Sequence, residues 1–510
     1  MQATSPPPGR SGADPTTEGA LRSLATEPAH ETAVLTLTTL GTLMVAVDST
    51  IVILALPTMA RDLAAPLETV IWTILVYLLI TAALTTQVGR LGDMWGRGRV
   101  YNSSFALFTI GSAACGFAPT ADVLIASRAL QAIGGAIMFA NSGALIASVF
   151  PPTRRGRAFG FMSFGWGVGA ILGILLGGVI TTELGWRYIF FINIPIGIVA
   201  VVLGWLTLPR TRPEPTHFDI PGFVLLSSSL ALICYGAIET ASHGVTTLNL
   251  LYVALGLVLV PAFIGTELRT PRPMLELRQL RDRLLGFSLI AGFLQSLGYL
   301  SVVFLLTLYL QGLRGLSPLD ASLLLVPGYL VGALSGPVLG RQVDILGSRA
   351  LATGGILCML AAVGGYSLLA LDSWLGWIPI ISVVSGFGTG MFYPANSTAI
   401  MARTSPGTFG SISGLRGTLS NLGTLLSFVL TLSIASATVP RAVAYSVFLG
   451  VGTLAGGVRA DFLTGIHAAL LGSAAILVVA AVLSWSRGPS PAHSAPATES
   501  VSPPRVAKGP

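Results

Sequence analysis

Two oppositely charged residues lie inside segments that are otherwise long and apolar. Asp48 lies about eight residues from the end of segment 33–56, and Arg128 about seven residues from the start of segment 121–149. These segments are predicted to run antiparallel, so the charges lie at similar depth. An ionised side chain in lipid costs about 3 kcal/mol or more, and it therefore pairs or faces a watery cavity. Because proton loss from the carboxyl favours the ion pair and proton gain loosens it, we predict a proton-coupling site, with a static structural pair as the alternative.

A second charged pattern, Gly-Arg-x-x-Asp-x-x-Gly, occurs twice, 251 residues apart. Its carboxylate can accept hydrogen bonds from a helix N-terminus or pair with arginine. We predict that both copies are latches that break when two halves of the molecule rock. The alternative is a solvated loop that only sets topology. The predicted latch residues are Gly89, Arg90, Asp93, Gly96 and Arg97 in the first copy and Gly340, Arg341, Asp344 and Gly347 in the second.

Other polar and aromatic residues within the apolar segments could line a substrate cavity or only bridge helices by hydrogen bonds. The candidates are Trp72, Tyr77, Gln131, Asn141, Asn193, Gln295, Tyr299, Tyr393, Asn396, Arg416 and Asn421. Arg416 lies about nine residues inside its segment and could face the cavity or snorkel to the interface. His467 is predicted to be a structural histidine rather than a proton relay.

A glycine stripe marks the fifth apolar segment. Gly165, Gly169, Gly173 and Gly177 are each four residues apart, and Gly178 continues the cluster. This spacing places the four on one helix face and permits close helix packing. Packing alone and a direct part in transport both remain open.

The elements that must position these residues follow from composition. The 510-residue chain is 53% hydrophobic and only 10% charged, whereas soluble domains are about a quarter charged. A helix that crosses lipid needs about 20 apolar residues, and fourteen segments qualify. They are 33–56, 68–88, 100–118, 121–149, 158–180, 188–208, 220–240, 249–266, 284–311, 317–339, 350–370, 376–402, 408–437 and 462–486.

The placement of charge predicts the orientation. Of 28 Arg and Lys residues, 21 fall on the side of both tails, five on the other side, and Arg128 and Arg416 inside spans. The positive-inside rule therefore predicts that both termini and both latches are cytoplasmic. The net charge of +7 is accounted for by membrane orientation, so no nucleic-acid partner is expected.

The repeat predicts two related halves. Ala140-Asn141-Ser142 recurs as Ala395-Asn396-Ser397 at an offset of 255, so spans 1–6 pair with spans 9–14 and spans 7 and 8 form an insert. The second half has no counterpart of the Asp48–Arg128 pair. The predicted domains are a disordered tail 1–32, a six-helix bundle 33–208, a two-helix insert 220–267, a six-helix bundle 284–486 and a disordered tail 488–510.

The sequence contains no motif typical of a cofactor or metal site. Cys115, Cys234 and Cys358 lie far apart in apolar segments and match no metal spacing. No Gly-x-x-x-x-Gly-Lys-Ser/Thr loop is present, and Lys508 is the sole lysine. We expect no cofactor, no metal and no enzymatic activity, with any driving energy drawn from a gradient.

Four motifs resemble those of the major facilitator superfamily, specifically its fourteen-helix drug:proton antiporter branch. They are Gly89-x-Leu91-Gly92-Asp93-x-x-Gly96-Arg97-x-Arg99, Leu124-x-x-x-Arg128-x-x-Gln131-x-x-Gly134-Gly135, Val47-Asp48-Ser49-Thr50-Ile51-Val52 with Ala55-Leu56-Pro57, and Trp186-Arg187-Tyr188-Ile189-Phe190-Phe191-Ile192-Asn193-Ile194-Pro195-Ile196-Gly197. The resemblance covers about 33–486. It implies that the arginine of the second motif takes part in proton transfer.

The chain departs from the branch's pattern at two positions. Ala132 follows Gln131 where glycine is usual, and Ile174 follows Gly173 where proline is usual. Proline bends a helix because it removes a donor and clashes with the preceding turn. Its absence predicts a straighter fifth helix.

The resemblance implies an all-α polytopic membrane protein with the major facilitator fold: two pseudo-symmetric six-helix bundles plus a two-helix insert. It also implies a monomeric exporter of lipophilic or amphipathic compounds in the cell membrane, driven by proton antiport, with substrate bound near the midplane between bundles. The alternatives are an exporter of a specific endogenous metabolite, lipid or antibiotic, and a transport-dead sensor or scaffold.

Overall fold

The computed structural model describes residues 15–209, 219–271, 273, 275–405, 408–435 and 458–488, which contain helices and no strand. The helices are α1 Pro15–Asp62, α2 Leu67–Trp95, α3 Arg97–Gly116, α4 Ala121–Val149, α5 Arg155–Glu183, α6 Tyr188–Phe191, α7 Asn193–Thr207, α8 Ile220–His243, α9 Thr247–Arg269, α10 Arg283–Thr307, α11 Pro318–Leu346, α12 Ser348–Tyr366, α13 Trp377–Ala402, α14 Phe409–Ala435 and α15 Val458–Ser486. Short 3-10 turns lie at Pro152–Arg154 and Gln279–Arg281, and a π-helix at Leu308–Leu313 continues α10.

The number of membrane spans differs from the predicted fourteen. Within the described residues, twelve helices are long and apolar enough to cross a membrane. The predicted spans 100–118 and 408–437 contain most of α3 and α14, but neither helix is among the twelve. Both helices carry several hydroxyl and amide side chains as well as arginine. The fourteen-span topology therefore stays a prediction.

The chain termini are only partly described. Helix α1 begins at Pro15, so residues 15–32 are helical where the sequence predicts a disordered tail. Near the end of this stretch, Arg154 donates to the two carboxylate oxygens of Glu31 at 2.9 and 2.7 Å, a contact that ties α1 to the turn before α5. Residues 1–14 of the first predicted tail and residues 489–510 of the second lie outside the described residues.

The helices pack as two halves joined along two seams. In the first half α1 packs on α5, and α4 packs on α2 and α3; in the second half α13 packs on α11 and α12, and α10 packs on α14 and α15. The seams are α2 against α14 and α5 against α11. These pairs are related by the repeat, because α2 corresponds to α11 and α5 to α14. The α8–α9 hairpin packs beside α2 and α14.

Glycines let the two seams close at the side that carries both repeated turns, which we call the arginine-rich side. An added Cβ on Gly89 would collide with the carbonyl oxygen of Gly410, and one on Gly340 with that of Gly156. Because the backbones touch directly, the halves are closed against each other on this side.

Candidate functional site

The centre of the first half holds a fully buried ion pair between α1 and α4. Arg128 Nη1 lies 2.7 Å from Asp48 Oδ2, and the two residues are 1% and 0% exposed. The structure thus brings together the two residues that similar depth predicted to meet. A buried pair with one partner removed is strongly destabilised, so each charge depends on the other.

Gln131 completes this site from the next turn of α4. Its Nε2 donates to Asp48 Oδ1 at 2.9 Å, and its Oε1 accepts from Arg128 Nη1 at 2.7 Å. Residues three apart on a helix share a face, so one segment supplies both donors. Gln131 was predicted to line a cavity; here it belongs to the charge network.

A second layer of polar groups surrounds the network. Asn193 on α7 donates to Ser112 Oγ at 3.1 Å and lies 3.5 Å from Asp48 Oδ1. Arg128 Nε donates to the Thr73 carbonyl at 3.1 Å. Neither Ser112 nor Thr73 is marked in the sequence, because a single serine in an apolar helix carries no distinguishing pattern and the Thr73 contact is made by a backbone carbonyl.

Aromatic rings enclose the Arg128 guanidinium. Its centre lies 4.6 Å from the Tyr77 ring and 5.7 Å from the Phe190 ring. Tyr77 is buried, and within the described residues its hydroxyl has no hydrogen-bond partner. Tyr77 therefore packs on the charge pair, and cation–π contact of this kind stabilises a desolvated guanidinium.

The glycine stripe of α5 faces α1 on both sides of Asp48. An added Cβ would lie 2.6 Å from the Thr39 carbonyl oxygen at Gly165, 2.6 Å from that of Leu43 at Gly169 and 2.7 Å from that of Val47 at Gly173. An added Cβ on Gly177 would also contact α1, whereas one on Gly178 would have nothing within 4 Å. The stripe thus sets the distance between α5 and the helix that carries Asp48.

The first latch joins α2 to the start of α14. Asp93 is 4% exposed, and its Oδ1 accepts from Arg97 Nη2 at 2.8 Å and from the Gly410 backbone N–H at 3.2 Å. Arg90 Nη1 lies 4.0 Å from the same carboxylate. The Asp93 carboxylate therefore both pairs with arginine and holds the N-terminus of a helix from the opposite half.

The second latch repeats this arrangement in reverse. Asp344 accepts from the backbone N–H groups of Gly156 at 2.8 Å and Arg157 at 3.1 Å, at the start of α5. The position of Arg97 in the first latch is taken by Ser348, and Arg341 is exposed. Each half thus supplies one aspartate to a helix start of the other half.

Several predicted cavity residues bridge helices instead. Asn141 donates to the carbonyls of Val88 at 3.2 Å and Ile137 at 2.9 Å. Trp72 lies 5.9 Å from the Tyr235 ring of the α8–α9 hairpin. These contacts are structural.

In the second half, Asn396 donates to the Ser288 carbonyl at 3.0 Å and accepts from Arg487 Nη1 at 2.9 Å. Burial and the nearby Arg349 cation together lower the pKa of Arg487 to about 10. Asn396 and Arg487 therefore form a buried structural contact at the end of α15.

The remaining second-half candidates lie in its core. Gln295 Nε2 is 3.5 Å from Met359 Sδ, and Tyr299 is buried in the main hydrophobic cluster. His467 Nε2 lies 2.8 Å from the Leu369 carbonyl oxygen, in keeping with its predicted structural role.

Arg416 is the exception among these candidates, because it lies between the halves. It is 7% exposed, and its Nη1 donates to the Tyr393 hydroxyl at 3.1 Å. Its guanidinium centre lies 5.3 Å from the Phe139 ring and 5.5 Å from the Tyr393 ring. The Arg416 guanidinium is therefore enclosed by protein between the two halves.

Comparison with known proteins identifies the family. The sequence profile of the Major Facilitator Superfamily matches residues 38–428, more than half of the chain. The chain belongs to the Major Facilitator Superfamily. With its many membrane-spanning helices, it is an integral membrane protein.

Three relatives of this facilitator protein illustrate the range of the family. The riboflavin transporter RibZ of Clostridioides difficile is 32% identical over 76% of this chain and 85% of its own length. The tetracenomycin C resistance and export protein of Streptomyces glaucescens is 30% identical, over 75% and 72%. The multidrug efflux pump LfrA of Mycolicibacterium smegmatis is 30% identical, over 76% and 77%.

Solved structures of facilitators share the fold at low identity. The human organic anion transporter MFSD10 matches with a TM-score of 0.63 at 16% identity, covering 90% of this chain and 99% of its own. The proton:xylose symporter XylE matches with 0.61 at 14%, covering 91% and 97%. Within the described residues of the present facilitator, no group of three or more His, Cys, Asp or Glu side chains could hold a metal ion.

Proposed function

We propose that the protein is a monomeric secondary active exporter of lipophilic or amphipathic organic compounds, driven by proton antiport. The observation that carries this proposal is the buried network of Asp48, Arg128 and Gln131 in a chain about 30% identical to drug-resistance transporters. Intramembrane ionisable residues with named partners are the usual sites of proton relays.

Asp48 is the proposed proton carrier. Protonation removes its negative charge and leaves the buried Arg128 cation without its counter-ion, a state that costs about 3–5 kcal/mol in comparable buried pairs. The protein escapes this cost by rearranging around Arg128. The proton thereby favours one conformation and its loss favours the other.

The helix contacts provide a route from this charge pair to the latches. Asp48 lies on α1, whose backbone touches the glycine stripe of α5. The start of α5 is held by Asp344 of the opposite half, and α5 packs along α11. A shift of α1 on protonation would therefore strain the α5–α11 seam.

For topology, we propose fourteen membrane-spanning helices in the cell membrane, with both termini and both latches in the cytoplasm. The 21-to-5 distribution of basic residues supports this orientation. In this orientation, the closed seams mean that the conformation described here is closed to the cytoplasm.

The test is ethidium efflux from an efflux-deficient bacterial host, with and without a protonophore. We expect efflux that the protonophore stops, and its loss in Asp48→Asn. Asp122→Asn is the matched control, because this exposed aspartate lies at the start of α4. Full proton-driven efflux by Asp48→Asn, or efflux that ignores the protonophore, contradicts the proposal.

A second candidate function is the transport of one specific metabolite. The 32% identity to a riboflavin transporter favours it. Saturable riboflavin transport in proteoliposomes, together with no ethidium efflux in cells, would replace the multidrug proposal with this one.

A further inference from the structure

Arg416 is a buried cation without a counter-ion. Within the described residues, no carboxylate oxygen lies within 4.0 Å of its guanidinium, and Nε and Nη2 have no hydrogen-bond partner. Its one hydrogen bond goes to the neutral hydroxyl of Tyr393. A buried guanidinium with two empty donor groups has lost hydration that the protein does not replace.

This arrangement is costly in free energy. Each buried donor that stays unsatisfied costs about 1–3 kcal/mol, and more when the group is charged. The two ring contacts, worth about 0.5–2 kcal/mol each, offset only part of this. A neutral residue of similar size would avoid this free-energy cost. An arginine at this position is therefore suited to binding a ligand that satisfies its free donors.

The position of Arg416 is directly behind the first latch. It follows Gly410, the latch residue of α14, by six residues, or about 9 Å along the helix axis. Two residues further on, Thr418 Oγ1 accepts hydrogen bonds from the backbone N–H and the hydroxyl of Thr86 on α2, at 3.0 and 2.7 Å. Arg416 therefore lies in the α14 region that closes the seam between halves.

The residues that cover Arg416 come from both halves. Phe139 belongs to α4 of the first half and Tyr393 to α13 of the second. When the halves separate on the arginine-rich side, Phe139 moves away with the first half. The free Nε and Nη2 groups then open toward the space between the bundles.

We infer that Arg416 binds the anionic group of an organic anion with an aromatic body, in the conformation that is open on the arginine-rich side. A carboxylate or phenolate would receive charge-assisted hydrogen bonds from Nε and Nη2. The rings of Phe139 and Tyr393 provide apolar walls for the aromatic part. This inference rests on the proposed function, since it adds organic anions to the lipophilic and amphipathic compounds that the carrier takes.

Closure of the seam explains release. When the halves close, Phe139 returns to the guanidinium face, and Nε and Nη2 become buried without partners. The closed conformation thus binds the anion more weakly than the open one. A ligand that distinguishes the two conformations in this way shifts the equilibrium between them.

The test is direct binding, which needs no transport. Fluorescein is an anionic xanthene, and tetramethylrhodamine methyl ester is a cation on a similar ring frame. Their binding to purified protein in nanodiscs is measured by fluorescence anisotropy. We expect Arg416→Gln to weaken fluorescein binding by about 10- to 100-fold and to strengthen binding of the cation, because a repulsive charge is removed.

Two variants serve as controls. Arg416→Lys keeps the charge but not the forked donors, and it should retain part of the fluorescein affinity. Arg403→Gln removes an exposed arginine at the end of α13 and should leave both affinities unchanged. Melting temperatures show whether each variant is folded.

The inference is overturned if fluorescein shows no saturable binding to the wild-type protein, or if Arg416→Gln weakens both dyes alike or neither. Failure of the transport proposal looks different. In that case fluorescein binding depends on Arg416, but neither dye is moved in cells or proteoliposomes.

Discussion

Arg128 and Arg416 are two buried arginines in the two halves of one molecule, and their surroundings are opposite. Arg128 pairs with Asp48 and donates to Gln131 and the Thr73 carbonyl. Arg416 has one neutral hydrogen-bond partner, and two of its nitrogens have none among the described residues. The protein itself satisfies the charge of Arg128, whereas two donor groups of Arg416 are left for a ligand.

The difference separates two tasks that a coupled carrier must perform. A fully paired charge responds to protonation of its partner, which suits the proposed proton site. An unpaired charge responds to an external anion, which suits the proposed substrate site. With the tasks in different halves, movement of the halves would let the two ligands influence each other.

The largest expected effect is on stability in the first half. Asp48→Asn should lower the free energy of unfolding by about 3–5 kcal/mol, because it leaves the Arg128 cation buried without a counter-ion. Thermal melting of the detergent-solubilised protein measures this. Adding Arg128→Gln should recover part of the loss, and a double variant no more stable than Asp48→Asn alone would show that the pair is not coupled.

A smaller effect is expected from the packing around that pair. Gly169→Ala should destabilise the protein by about 1–3 kcal/mol, because its Cβ meets the Leu43 carbonyl oxygen at 2.6 Å. Gly178→Ala is the matched control, since nothing lies within 4 Å of its Cβ. Melting temperatures should fall for the first variant alone, and equal values would mean that the stripe does not set the α1–α5 distance.

A change of opposite sign in the free energy of unfolding is expected in the second half. Arg416→Gln should raise the free energy of unfolding of the closed conformation by about 1–2 kcal/mol, because it removes a buried charge with unsatisfied donors. The melting temperature should therefore rise, in contrast to Asp48→Asn. A fall in melting temperature as large as that of Asp48→Asn would mean that Arg416, like Arg128, stabilises the protein, and it would contradict the comparison.

The smallest expected effect distinguishes the two latches. Asp93→Asn removes the charge that pairs with Arg97 and holds the start of α14, and Asp344→Asn removes the charge that holds the start of α5. The helix-terminus contact alone should account for about 1 kcal/mol in each variant. Spin labels at positions 99 and 403 should report wider separation on the arginine-rich side for Asp93→Asn, and equal distances in both variants would show equivalent latches.

Sequence reasoning came closest where local spacing decides the outcome. Similar depth within two apolar segments predicted that Asp48 and Arg128 would meet, and an exact four-residue spacing predicted one glycine face. Prediction from the sequence was less accurate for the candidate cavity residues. Asn141 and Asn396 donate to nearby backbone carbonyls. Which carbonyl an amide in an apolar helix reaches depends on the helix face that carries it, and this is fixed only when the helices pack.

The amino-acid sequence by itself determined the apolar helices, the two related halves and the family, because hydropathy and repeated motifs are properties of the chain in order. Only the tertiary structure decided that Arg128 gains Gln131 and the Thr73 carbonyl as further partners, while Arg416 is enclosed with two donors that have no partner among the described residues. That outcome depends on the depth and rotation of helices that are distant in sequence, and Asp48 lies 80 residues before the arginine that it neutralises. Arg416 is the same residue type in a similar segment, but no described helix presents a carboxylate to it.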